Sequence, residues 1–283
     1  MSNIFGAARK ILVILITRGK AAQDFLGARW ISYWLHCLPL SWRRSAALWL
    51  VSLSPHYFFK IEANRGLNKM EFLDAEFRRN LDSRQAIASG ILMKYLRFSD
   101  TLLDYGCGPG WLARAVSPYV NQVCACDISE GVIECAKVLN GAPNIQYLVV
   151  PASGKLPLRD ACVDIVYSFA VIQHVTDEVF DEILGTFYHL LRDGGTALCH
   201  IVVDQPTWKS EAESRSDATL HGKLLWHLGL YCFSRSKEDV VKRIIAAGFS
   251  KPEVFLIREI ANILGDDIED QHLFVFRKLD GSA

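Results

Sequence analysis

The residues best able to do chemistry are Asp104, the three glycines that follow it at Gly106, Gly108 and Gly110, and Asp127, 23 positions beyond Asp104. Leu102-Leu103-Asp104-Tyr105-Gly106-Cys107-Gly108-Pro109-Gly110 reads as a buried strand entering a tight turn and then a helix. Alternate glycines let backbone approach a ligand closely, as in dinucleotide-binding turns. A carboxylate at Asp104, however, would repel a pyrophosphate and attract an ammonium group. Trp111 also stands where the dinucleotide fingerprint needs its third, helix-packing glycine. Both features disfavour a nicotinamide oxidoreductase. Asp127 ends the next strand, where a carboxylate accepts hydrogen bonds from both ribose hydroxyls. It could instead cap the following helix, a task Ser129 could also perform. The pocket therefore suits a ligand with a cationic amine, a carboxylate and an adenosine, and no phosphates.

An alternating scaffold must hold these groups. Residues 71–97 read as a helix. Strand-like runs at Thr101 to Tyr105, Gln122 to Asp127, Ile145 to Val150, Val163 to Ala170 and Thr196 to Val203 then alternate with helical stretches at Trp111 to Tyr119, Ser129 to Leu139 and Asp177 to Leu191. This predicts βαβ units and a parallel sheet covered on both faces, with its ligand beyond the strands' carboxyl ends. Residues 204–235 look like an insertion after the fifth strand. A helix from Lys237 to Ala247, ended by Gly248, and two strand-like runs, Glu253 to Arg258 and His272 to Arg277, close the chain. With 283 residues, 51% of them hydrophobic, the chain suits one large α/β domain with an extension and is incompatible with wholesale disorder.

The charge is uneven. Lys+Arg and Asp+Glu both number 31, yet residues 1–60 hold eight basic side chains against Asp24 alone, a net +7 that leaves −7 elsewhere. Trp30, Trp34, Trp42 and Trp49, four of the seven tryptophans, fall in the same stretch. Ile11 to Ile16 is too short to span a bilayer, and Leu35 to Leu53 is broken by Pro39 and the Arg43-Arg44 pair. No secretory signal is expected either, so the setting reads as cytoplasmic and reduced. Two readings of residues 1–60 are compatible: an interfacial segment on anionic lipid, peripheral at the membrane, or a helical cap roofing the acceptor pocket. The apolar residues of 46–59 nearly encircle a helix, which favours the cap. Dispersed basic residues beside an acidic core argue against nucleic acid. Cys124 and Cys126 share a strand face, but no second pair at zinc-like spacing exists, so they read as buried apolar thiols and no metal is expected.

The motif run resembles the class I S-adenosylmethionine-dependent methyltransferases. It comprises Asp-Tyr-Gly-Cys-Gly-Pro-Gly, Asp127, Leu156-Pro157-Leu158, Asp164-Ile165-Val166, Gln173-His174-Val175 and Leu191-Arg192-Asp193-Gly194-Gly195, and within that superfamily it is most similar to the small-molecule branch that includes quinone-ring methylases. The resemblance covers about residues 70–278. It implies a doubly wound, Rossmann-like, seven-stranded sheet, mostly parallel with an antiparallel last strand. That divides the chain into a basic, Trp-rich helical extension over 1–65 and a cofactor-binding domain over 66–283. It also implies S-adenosylmethionine as cofactor, with Asp104, Gly106, Cys107, Gly108 and Gly110 around the methionine part, Asp127 on the ribose, Ile128 on the adenine and Phe169 near the methionine. Where the family carries an acid toward the adenine amino group this chain has Pro151-Ala152-Ser153-Gly154, so Ser153 is the candidate substitute.

Methyl transfer from a sulfonium needs alignment and exclusion of water, plus a base if the acceptor is a hydroxyl. His174, just past the fourth strand, is the first candidate base. His200 and Asp204, bracketing the end of the fifth, come second. His221 and His227 are further candidates for lining the acceptor pocket. The expected activity is methylation of a small, apolar or lipid-linked acceptor. The alternative is a cofactor-binding partner subunit without turnover, which the missing acid at Ala152 keeps open.

Overall fold

The computed structural model describes residues 34–51, 69–151, 153–219, 222–223, 226, 231–262 and 270–279. Strands β1 (Thr101–Tyr105), β2 (Gln122–Asp127), β3 (Ile145–Val149), β4 (Val163–Ser168), β5 (Leu191–Ile201), β6 (Glu253–Leu256) and β7 (His272–Arg277) form one sheet in the order β3-β2-β1-β4-β5-β7-β6. The first five run parallel, and β7 lies antiparallel between β5 and β6. This is the expected seven-stranded, doubly wound architecture. Strand order reverses between β1 and β4, which opens a crevice at their carboxyl ends. β1, β2 and β4 can be near-continuous apolar runs because the sheet is covered on both faces by separate clusters. One is built around Phe180, Phe187, Phe274 and Phe276, the other around Ile87, Ile91, Leu112 and Leu198.

The helices are α1 (Leu40–Val51), α2 (Lys69–Gly90), α3 (Trp111–Val116), α4 (Glu130–Asn140), α5 (Asp177–Leu190), α6 (Glu211–Arg215), α7 (Lys237–Ala246) and α8 (Ile257–Ile260). Local chemistry sets several ends. Ser129, Thr176 and Ser236 accept a backbone N–H at the starts of α4, α5 and α7. The Gly248 N–H bonds Ile245 O and the Phe249 N–H bonds Ile244 O, the paired bonds of a Schellman close on α7.

Several boundaries differ from expectation: the fifth strand begins at Leu191 and ends at Ile201 instead of running from Thr196 to Val203, and the run expected to reach Arg258 ends at Leu256, where α8 takes over. The helix expected to reach residue 97 stops at Gly90, where an added Cβ would stand 2.9 Å from that of Ala261. The helix expected to reach Tyr119 tightens to a 3₁₀ turn at Ser117–Tyr119, which contains Pro118. The strand expected to reach Ala170 stops at Ser168, because Ala170 turns to φ 60.

Of the basic extension, α1 is described, and it packs on α4 through buried Ala47 and Val51, with His36 Nε2 3.3 Å from Glu134 Oε2. Leu40 at its first residue (80%) and Trp42 on its other side (65%) are exposed. Residues 52–59, on which the encircled-helix expectation partly rests, lie outside the described residues. No helix among the described residues is long and apolar enough to cross a membrane.

Candidate active site

β1 delivers Asp104 to the crevice floor, where the carboxylate is 3% exposed. Its Oδ2 has no hydrogen-bond partner among the described residues. Burial pushes its carboxyl up to about 7, against the opposing pull of the Tyr167 phenol on β4. An orphaned, buried acid of this kind is a standing demand for a cationic or donor group.

The glycine turn follows at once. Gly106 has φ 77, and an added Cβ there would meet Val171 Cγ2 at 2.2 Å, so the loop after β4 sits directly on this turn. Gly108, φ 53, has nothing within 4 Å of the same position and presents bare backbone to open space. The turn is fastened by Gly106 and Cys107 N–H to Cys126 O at 2.8 and 2.9 Å, and by Asn140 Nδ2 to Pro109 O at 2.7 Å. Burial raises the thiols of Cys107 and Cys126 well above their usual range, so both are inert apolar side chains here.

Asp127, at the end of β2, accepts from Gly108 N–H through Oδ2 (3.0 Å) and from Ser129 N–H through Oδ1 (2.9 Å). Burial raises its carboxyl, and these backbone donors oppose the rise. The capping of α4 falls to Ser129, whose hydroxyl accepts from Val132 N–H. Asp127 therefore ties the second strand to the glycine turn and keeps lone pairs for further donors. Ile128 beside it is 45% exposed, an apolar surface next to a polar one. Ser153 is exposed; Ala152 lies outside the described residues.

The opposite wall is built by the loop after β4. Ser168 donates to Tyr105 O at 2.9 Å, tying the ends of β4 and β1 together. His174 closes a 3₁₀ turn, Ile172–His174. Its Nδ1 lies 2.9 Å from Tyr231 O, so Nδ1–H donates and the Nε2 lone pair stays available. Burial holds its pKa below the usual value. This is the neutral tautomer a base requires.

His200 is placed differently. Its Nδ1 accepts the Ala170 N–H at 3.0 Å and its Nε2 is held by Gln271 Oε1, which leaves no lone pair for a substrate proton. The base role expected of it is corrected accordingly. Asp204 is likewise a turn residue: at φ 53 its N–H bonds Arg235 O and its Oδ1 accepts from Lys237 N–H, so its carboxylate braces the neck of the insertion. His221 and His227 lie outside the described residues. Phe169 is half-buried and stacks on His200 with ring centroids 5.9 Å apart.

The residue sequence reasoning missed is Arg235. Buried, it bonds Asp177 Oδ1 (2.7 Å), Ile172 O (2.9 Å) and Val175 O (2.5 Å), clamping the His174 turn from the far end of the insertion. Nothing in its local sequence marks it, since its partners are about sixty positions away. No group of three or more His, Cys, Asp or Glu among the described residues could hold a metal ion.

The orphaned Asp104 acid, the open backbone at Gly108, the anchored Asp127 carboxylate and exposed Ile128 together fit a ligand with an ammonium, ribose hydroxyls and a flat apolar base. The comparisons with known proteins agree. Residues 103–199 match the family described as Methyltransferase domain. The chain is 32% identical over 99 residues to malonyl-[acyl-carrier protein] O-methyltransferase of Serratia marcescens, covering 35% of this chain and 37% of that protein. It spans about a third of the length of the curated relatives it matches. Phosphoethanolamine N-methyltransferase 2 of Haemonchus contortus, solved with S-adenosyl-L-methionine, superposes with a TM-score of 0.50 at 20% identity, over 67% of this chain and 51% of that one. The [4+2]-cyclase SpnF superposes equally well, at 0.50 and 16% identity, over 70% and 80%. At such identities the likeness is one of fold, and that fold carries more than one chemistry.

Proposed function

Because the chain belongs to the class I S-adenosylmethionine-dependent methyltransferase superfamily, we propose that it transfers a methyl group to a small, apolar or lipid-linked acceptor entering over the loop after β4. What carries this is the buried Asp104 carboxylate with its unpartnered oxygen beside the open Gly108 backbone. S-adenosylmethionine supplies a methyl group already activated on a sulfonium. Asp104 holds its ammonium, the Asp127 oxygens accept from its ribose, and Ile128 covers its base. Phe169 and the Gly106 turn confine the methionine end and keep water from it, so that alignment contributes most of the rate. For a hydroxyl acceptor, His174 takes the proton at Nε2 while the Tyr231 carbonyl steadies the Nδ1–H.

The acceptor class follows from the extension. The exposed Leu40 and Trp42 on α1, within a +7 segment, suit contact with an anionic bilayer from which an apolar acceptor is drawn.

Calorimetric titration with S-adenosylmethionine, S-adenosylhomocysteine and NAD tests the donor: binding of NAD without S-adenosylmethionine would overturn it. A labelled-methyl assay on lysate lipids, with Asp104→Ala as blank, tests transfer. Cofactor binding with no transfer to any acceptor would favour the partner-subunit alternative. For the surface, sedimentation with phosphatidylcholine vesicles with and without phosphatidylglycerol should retain the protein on the anionic vesicles alone. Leu40→Ser combined with Trp42→Ser should release it, and equal retention of this variant would refute the contact.

A further inference from the structure

Resting on the cofactor reading above, we infer that buried His200 and half-buried Gln271 form a latch that holds the loop after β4 in its strained shape, making His200 a positioning residue for the cofactor. Ala170 has φ 60, a backbone region that residues other than glycine seldom adopt without outside support. That support is visible. The Ala170 N–H donates to His200 Nδ1 at 3.0 Å, the acceptor being a β5 side chain only 1% exposed. An Nδ1 that accepts must be unprotonated, so the ring proton sits on Nε2, and Gln271 Oε1 receives it there. Gln271 is itself anchored, its carbonyl accepting from Ile257 N–H at 3.0 Å. The latch thus reaches from the β6–α8 corner, under β5, to the rim of β4.

Two neighbours of Ala170 explain why this turn matters. On one side Phe169 lies nearly parallel to the His200 ring, 9° between planes, so the imidazole sets that ring's tilt as well as the backbone. On the other, Val171 fills the space a side chain at Gly106 would need. A shift of Ala170 would therefore move both the Phe169 ring and the Val171 methyls that seat the glycine turn. Interiors transmit such shifts because they are close-packed.

Two substitutions separate the latch from plain packing. Asparagine at position 200 offers an acceptor oxygen near the place of Nδ1; glutamine places its amide near Nε2 and leaves the Ala170 N–H unmatched. In the full-length protein, His200→Asn should bind S-adenosylhomocysteine within about threefold of wild type. His200→Gln should bind at least about tenfold more weakly, the scale of one lost hydrogen bond. Equal affinities for the two variants, or the reverse order, would overturn the latch. Nitrogen-15 NMR of the unliganded wild type gives a second readout: Nε2 should be protonated and Nδ1 an acceptor, with a coupling across the hydrogen bond to the Ala170 amide. A protonated Nδ1 would also overturn the latch. Should wild type not bind S-adenosylhomocysteine at all, the cofactor reading fails, and the nitrogen assignment still decides the latch.

Discussion

The two walls of the crevice are built by opposite means. On the β1–β2 side, Asp104 is a buried acid and Asp127 a half-buried one; Asp127 meets backbone N–H groups, and one oxygen of Asp104 meets no hydrogen-bond partner among the described residues. On the insertion side nearly every charge is answered within the protein. Arg235 pairs with Asp177, Arg243 with Asp177, Asp181 and Asp239, Lys209 with Asp217, and Arg215 with Glu211. Ser210 and Glu213 add a reciprocal capping box. The difference separates two jobs. The first wall keeps electrostatic demand unmet until a ligand arrives, at a cost to the free protein. In the second, Arg235 holds the His174 turn in place and the other charges pair among themselves.

The largest expected effect comes from removing that unmet demand. Asp104→Asn should weaken S-adenosylmethionine binding by on the order of a hundredfold or more, the scale of breaking a buried pair. It should also stabilise the free protein above neutrality. Burial raises the Asp104 pKa from 3.8 to about 7, so its contribution to stability is present below pH 3.8 and lost as pH rises through 7. Melting curves of the free proteins should converge only below pH 3.8 and separate by several degrees at pH 8.5, with the variant higher. The same titration predicts that wild-type affinity falls about tenfold per pH unit below 7, because the acid must ionise to receive an ammonium. A flat profile would mean that Asp104 is already ionised in the free protein.

Arg235→Met tests the other wall. It leaves two carbonyls and part of Asp177 unanswered and should cost about 3 kcal/mol, on the order of 10 °C in Tm. Methyl transfer should fall while the affinity for S-adenosylhomocysteine stays within about threefold. An equal loss of cofactor affinity would show the walls are not independent. His174→Asn should act more narrowly, lowering turnover about tenfold to a hundredfold for a hydroxyl acceptor with cofactor affinity unchanged. An unaffected rate would place the proton elsewhere.

The cofactor wall was legible in the sequence because its logic is local. A strand, a turn with glycines two apart and an acid at the next strand's end fall within 27 consecutive residues, Thr101 to Asp127, and period and turn chemistry position them before any tertiary contact is known. The acceptor wall was not. His200 on a strand looked like a base, and its assignment to the latch depends on Ala170 and Gln271, 30 and 71 positions away. Asp204 likewise looked like a base, and its brace runs to Lys237. Arg235 carries no local signal at all, because its acceptors, the Asp177 carboxylate and two carbonyls, are about sixty positions away. Composition can count such groups but cannot pair them.

The smallest expected effect decides a question the sequence left open at Asp127, between sugar ligand and helix cap. Ser129 already supplies the capping oxygen, so Ser129→Ala should cost about 1 kcal/mol, a few degrees in Tm, and leave cofactor affinity within about twofold. The Asp127 contact to the Ser129 N–H survives that change, since on the Ser129 side it involves only backbone. Asp127→Asn should do the reverse. An amide keeps one acceptor oxygen for Gly108 or Ser129 but turns a donor toward the other, and it can no longer accept from two ribose hydroxyls. Affinity should then drop about tenfold or more with a modest change in melting temperature. If Ser129→Ala proved the more damaging to binding, the cap itself would be shaping the site, and the division between a ligand-hungry wall and a self-satisfied one would have to be redrawn at α4.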